Sequence, residues 1–245
     1  MSKLKLISLN IAGKQHLSKQ MNFFLNESPD IICLQEVFKD TYTQLKNRLN
    51  MDGAFTPMWK RLDNKNGKEK FSTMGIAILT SCKIIKIKKI YYHGNSKQIY
   101  NFTPKKTRQT HVNRAIIVTQ VKDGEEKFFV GNTHFTWSEN GRTSQQQRVN
   151  LKSLLKKIKL FPEIIFCGDF NAPRGKEIFK KISEKYKDNI PLHYKTSIDE
   201  NLHYAGKLDL MVDGLFSTKE YLVTDTKLIN GVSDHYAIIT NIQKK

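Results

Sequence analysis

Short apolar runs recur along the chain, and the spacing of apolar positions sets the elements. Residues 4–11, LKLISLNI, and the run inside PDIICLQEV (29–37) read as buried strands. SKQMNFFLNES between them reads as a helix opened by Ser18, and a short helix is expected over 39–50. TMGIAILT and CKIIKIKKI read as strands joined by a tight connection. HVNRAIIVTQV and KFFVGNTHF flank an Asp-Gly pair, a hairpin signal. In TSQQQRVNLKSLLKKIK, Val149, Leu151, Leu154, Leu155 and Ile158 recur at helical spacing, with Thr143 or Ser144 as cap. EIIFCGD, KLDLMVDGLF and DHYAIITNI supply further strands, while 60–72 and 91–110 read as surface loops. Early hairpins and later intervening helices imply an α/β (α+β) architecture in a single domain over 1–245. Either one mixed sheet or two packed sheets would be covered by helices.

A second regularity lies at the ends of these runs. LISLN ends in Asn10, IICLQE in Glu36, FFVGNTH in His134, and IIFCGDFN in Asp169 and Asn171. GVSDH sets Asp234 and His235 before the final strand. One polar strand end is ordinary, but several of one form imply a shared rim. Asp169 and Asn171, two apart, would face one side of an extended backbone. Clustered carboxylates repel unless a cation sits among them, so the rim is a candidate metal site. Asp, Glu and Asn are hard oxygen donors that suit Mg²⁺ or Mn²⁺ rather than thiolate-bound zinc. Magnesium binds protein carboxylates together with substrate phosphate, which makes a phosphate ester the expected substrate.

Charge adds a bias. Forty-one Lys and Arg against 23 Asp and Glu leave +18, a surplus that attracts nucleic acid. Lysine-rich codon usage would give the same surplus without function. Cys33, Cys82 and Cys167 are odd in number, lack CxxC spacing and fit a reducing compartment. The N-terminal apolar stretch is short, is interrupted by Asn10 and lacks an A-x-A-like exit. A soluble, cytoplasmic monomer without membrane attachment is expected.

In order, SLN, LQEV, NTHF, GDFNAP, KLDLMVDGL and VSDHYAI resemble the motifs of the endonuclease/exonuclease/phosphatase superfamily over residues 4–242. These are metal-dependent phosphoesterases of the exonuclease III and pancreatic deoxyribonuclease type. The resemblance implies a four-layer sandwich, with two mixed sheets face to face and helices outside. It also implies Mg²⁺-dependent phosphoester hydrolysis, with Mn²⁺ able to substitute. Glu36 matches the principal metal carboxylate, and Asn10 and Asp234 match positions beside the metal or its waters. Asp169 would orient or deprotonate the attacking water, and Asn171 would donate at the same centre. His235 would contact the scissile phosphate, with Asp209 orienting it and favouring its charged form. His134 separates the branches: abasic-site enzymes usually carry Tyr there, whereas pancreatic-type nucleases, tyrosyl-DNA phosphodiesterases, deadenylases and neutral sphingomyelinases carry His. Which of Asp169, His134 and His235 handles which proton stays open. Ala12 departs from abasic-site members, which place an acid there.

Trp137 and Arg142, after His134, are candidate substrate contacts. Lys105, Lys106 and Arg108, in an aromatic-rich basic stretch, are candidate nucleic-acid contacts. The expected function is a nuclease or DNA-repair phosphodiesterase acting on DNA or RNA. The alternatives are a phosphatase or phospholipid phosphodiesterase of the same fold, and a non-catalytic nucleic-acid-binding module.

Overall fold

A computed structural model describes residues 2–65, 68–102 and 112–245. Lys105, Lys106 and Arg108 lie outside the described residues. Strands β1 (Leu4–Asn10), β2 (Ile31–Phe38), β3 (Asp52–Lys65) and β4 (Lys68–Thr80) lie in one sheet with β11 (Tyr221–Ile229) and β12 (Ala237–Lys244). Strands β5 (Lys83–His93), β6 (Arg114–Asp123), β7 (Glu126–His134), β8 (Ile165–Asp169), β9 (Lys187–Asp188) and β10 (Asp213–Ser217) form the other. The orders are β11-β12-β1-β2-β4-β3 and β5-β6-β7-β8-β10-β9. Each sheet has one parallel pair at its centre, β1 with β2 and β7 with β8, among antiparallel neighbours. A crossover helix joins each parallel pair, as the geometry requires: α1 (Leu17–Glu27) and α3 (Gln145–Ile158).

Three apolar layers hold the sandwich. Leu6, Cys33, Ile78, Ile117, Val130, Cys167, Leu215 and Ile238 meet between the sheets. Ile7, Leu9, Ile32 and Leu34 pack under α1 and α2 (Lys39–Arg48). Ile116, Val118, Phe166 and Phe216 pack under α3 and α4 (Glu177–Ser183). Helices, sheet, sheet and helices give the four layers the resemblance implies. Among the described residues no helix is long and apolar enough to cross a membrane.

Two expectations are corrected. The stretch 60–72 is mostly strand, since β3 and β4 pair from Asp52↔Thr80 to Lys65↔Lys68. Its polar side chains hide the alternation, but backbone pairing does not depend on them. Helix α1 begins at Leu17 behind His16 rather than at a Ser18 cap, because Leu17 N–H already closes a turn on Lys14 O at 3.4 Å. At α3 the cap is Ser144: its hydroxyl accepts from Gln147 N–H, and the Gln147 side chain returns to Ser144 N–H.

Candidate active site

The site grows out of the inter-sheet layer. Alternation sends Leu4, Leu6, Ser8 and Asn10 of β1 to one face, and Ile31, Cys33 and Gln35 of β2 to the same layer. On the opposing sheet the files are Phe128, Val130, Asn132 and His134 of β7, and Ile165, Cys167 and Asp169 of β8. Each file is apolar in mid-sheet and polar at its C-terminal end. That is why a greasy strand ends in a carboxylate: the last inward position has left the core for the rim. Below the rim the sheets are clamped by buried amides. Gln35 Nε2 donates to Asn132 Oδ1 at 2.7 Å, and Asn132 Nδ2 donates to the Leu34 and Ala77 carbonyls, both at 2.8 Å.

Strict alternation would turn Glu36 away from this layer. A bulge between Leu34 and Val37 in the β2–β4 register, with Glu36 at φ +50°, re-aims it. Its Oε1 lies 4.0 Å from His134 Nε2, and its Oε2 lies 3.3 Å from Arg61 Nη1. The carboxyl is pushed up chiefly by desolvation and further by Asp234, while Arg61, His235 and a hydrogen bond from Asn10 pull it down.

Asp169 is the hub. It is buried, its Oδ1 accepts from Asn171 N–H at 2.8 Å, and its Oδ2 accepts from Asn10 Nδ2 at 3.2 Å. His134 Nε2 lies 3.5 Å and His235 Nε2 3.9 Å from that same Oδ2. Burial raises this carboxyl to about 7, against the lowering charge of His235, with Asp213 and Glu36 adding to the rise. Asn171, at φ +49°, follows in a turn. The extended backbone expected through 169–171 is therefore absent, and Asn171 Nδ2 bonds Phe135 O at 3.4 Å.

The acid that holds His235 is Asp213, not Asp209. Asp213 opens β10 directly opposite Asp169, and its Oδ2 lies 2.7 Å from His235 Nδ1. Asp209 is exposed in an irregular segment, because strand pairing in KLDLMVDGLF begins only at Asp213. Burial alone would lower the His235 imidazole, but the negative charges of Asp213, Asp169 and Asp234 raise it to about 10. His134 goes the other way. Burial lowers it well below its ordinary value, with Arg114 and His235 adding to the effect, so its ring is neutral. The two histidines therefore divide the work: one is a fixed cation, the other a neutral ring.

Asp213, Arg114 and Arg61 complete the surroundings beyond the expected set. Arg114 is buried, its Nη1 donates to His134 O at 3.3 Å, and its guanidinium lies 5.8 Å from the Trp59 ring. Asp234 is half-buried and accepts from Ser233 Oγ at 3.2 Å. Trp137 and Arg142 are both exposed on the segment after His134, and among the described residues neither has a hydrogen bond, ion pair or ring contact with Glu36, Asp169, Asp213 or His235. Gly168 decides the local backbone: at φ +143°, a Cβ there would stand 1.8 Å from Thr133 O.

The donor set fits a hard divalent cation. Among the described residues Asp169, Asp213 and His235 offer ligand atoms within 4.8 Å of one another, although Asp213 is committed to His235. Across the rim, Glu36 is raised by the like charge of Asp234, a repulsion that a cation between oxygens would relieve.

A four-layer sandwich with Asp, Glu, Asn and His converging at one inter-sheet rim defines a phosphoester hydrolase. Residues 7–235 match the sequence profile of the Endonuclease/Exonuclease/phosphatase family, and the chain belongs to it. The family's members are metal-dependent phosphoester hydrolases. Human nocturnin is 28% identical over 164 residues, covering 62% of this chain and 34% of nocturnin. The match thus spans about a third of that relative's length. A family protein from Bacteroides vulgatus superposes with a TM-score of 0.74 at 16% identity, covering 100% of both chains. D. rerio TDP2 complexed with a single-strand DNA product gives 0.68 at 19%, again covering 100% of both. At such identities these structures bear on the fold.

Proposed function

We propose that the protein is a Mg²⁺-dependent phosphodiesterase that cleaves nucleic acid. The observation that carries the reading is the ion pair of His235 with Asp213 beside an Asp169 poised near neutrality. A phosphate held by the His235 imidazolium would place its phosphorus next to a carboxylate able to take a proton from water. Glu36, with Asn10 and Asp234 alongside, would hold the cation. When bound, it would neutralise phosphate charge and make water more acidic. Asp169 orients the attacking water and, once ionised, accepts its proton. Asn10 fixes the Asp169 carboxylate through Nδ2, and Asn171 fixes it through its backbone N–H. His235 stabilises charge on the pentacovalent phosphorus. As the P–O bond to the leaving oxygen breaks, neutral His134, 3.5 Å from Asp169, would pass the proton taken from water to that oxygen. The +18 surplus and the DNA product bound by the TDP2 structure support nucleic acid as substrate.

The test is a cleavage panel of plasmid, single-stranded DNA, RNA, abasic duplex and 5′-tyrosyl oligonucleotide, with Mg²⁺ or EDTA. Wild type, Glu36→Ala, Asp213→Asn and Asp209→Asn are compared. Cleavage should require Mg²⁺, fall by about 100-fold or more in the first two variants, and survive in Asp209→Asn. Turnover of lipid or sugar phosphates without any nucleic-acid cleavage would overturn the substrate assignment.

A further inference from the structure

One histidine near the rim has no part in the chemistry above. His203 lies in the loop 199–206, DENLHYAG, with its ring centroid 6.5 Å from that of His235 in an edge-on arrangement. The charges of Asp234 and His235 both act on it. Its Nδ1 accepts from Ala205 N–H at 3.2 Å, so the neutral ring carries its proton on Nε2 and can donate there. Tyr204 follows with its ring centroid 4.5 Å from His203, and it is 90% exposed.

This loop is fastened to the reacting segment by a buried carboxylate. Asp199 Oδ1 accepts from Asn201 N–H at 3.0 Å and Leu202 N–H at 3.2 Å, and Oδ2 accepts from Gly231 N–H at 2.6 Å. Asp199 N–H donates to Asp234 O at 2.9 Å, and His203 N–H donates to Asp199 O at 2.9 Å. Ile198 bridges His235, and Tyr236 N–H donates to Ser197 O at 2.7 Å. The base of the loop is therefore hydrogen-bonded directly to the segment that carries His235. A connection alone would need neither a buried anchor nor a donor histidine with a solvent-facing ring set beside the phosphate-binding cation.

We infer that residues 199–206 form the substrate-recognition subsite, in which His203 Nε2 donates to an oxygen of the bound phosphoester and Tyr204 stacks on the adjoining nucleobase. A ring on a rigid anchor stacks any base at little ordering cost, which suits recognition without base selection. This inference rests on the nucleic-acid reading above.

Two diesters separate the inference from that reading: a dinucleotide, and methyl p-nitrophenyl phosphate, which offers no base. Tyr204→Ala should raise KM for the dinucleotide by about tenfold and leave the small ester unchanged, while Tyr204→Phe behaves as wild type. His203→Ala should lower kcat/KM on both esters, and His203→Gln, which keeps a donor, should recover part of it. Unchanged dinucleotide KM in Tyr204→Ala, or wild-type kcat/KM in His203→Ala, overturns the subsite while the nucleic-acid reading stands. A wild type that turns over the small ester and ignores the dinucleotide overturns both. Melting curves establish folding, and the exposed Tyr204 variants should match wild type.

Discussion

His235 keeps its charge because Asp213 lies against one ring nitrogen and Asp169 near the other, whereas Asp169 resists ionisation because it is buried. That resistance has a stability signature. A carboxyl raised in the fold from 3.8 to about 7 binds its proton more tightly folded than unfolded. Stability is therefore full below about pH 4 and declines as pH rises towards 7. Asp169→Asn cannot ionise, so in EDTA its melting temperature should gain on wild type steadily between pH 4 and 8 while activity disappears. A gap between the two proteins that does not change with pH would rule out the buried-acid account. At this scale the sequence was legible for Asn10, Glu36, His134 and Asp169, each the polar end of an apolar run, and for His235, which stands just before the last one. It misled at Asp209, because the family motif was matched to KLDLMV, whereas strand pairing in that run starts only at Asp213, which meets His235. His203 and Asp199 carried no motif and emerge only when the loop is seen beside His235.

Among the elements, the strand ends hold the conformations that function needs. Ala12, Glu36 and Asn171 all have positive φ just beyond or at the ends of β1, β2 and β8, and each such non-glycine residue costs about 1 kcal/mol. Gly168 has no such tolerance. Its φ of +143° and the Thr133 carbonyl 1.8 Å from a notional Cβ leave no room for a side chain. Gly168→Ala should destabilise by about 3 kcal/mol or more and displace Asp169, so denaturant midpoints and activity should fall together. An alanine variant of wild-type stability would contradict the close approach of β7 and β8. Strands with one clear apolar face were readable. β3, β11 and the outer half of β4 were not read, and in the hairpin Lys60, Arg61 and Lys70 interrupt the alternation. The bulge at Glu36 was also invisible, since it depends on the β4 partner rather than on local composition.

Across the whole molecule, the site exists only where the two sheets meet. Asn10, Glu36, Asp234 and His235 come from one sheet or its borders, and His134, Asp169 and Asp213 from the other. A cation bound across this seam stabilises the folded chain alone. Mg²⁺ at 100 times its dissociation constant should therefore stabilise wild type by about 2.7 kcal/mol, read as a higher melting temperature. EDTA should reverse the gain, and Glu36→Ala should show little of it. An equal rise in the variant would place the cation elsewhere. The architecture was legible as packed mixed sheets, but strand order was not, because alternation shows which face is buried and not which neighbour covers it. That order has a consequence for synthesis. The first four strands leave the ribosome early, the second sheet is completed next, and β11 and β12 must then return to close the first sheet beside β1. His235 arrives with that closure, so this domain has no working centre until the segment leading into β12 has been made. A chain cut before residue 235 would lose both the histidine beside Asp169 and β12, the strand between β1 and β11, so a shortened form of this domain is expected to lack activity.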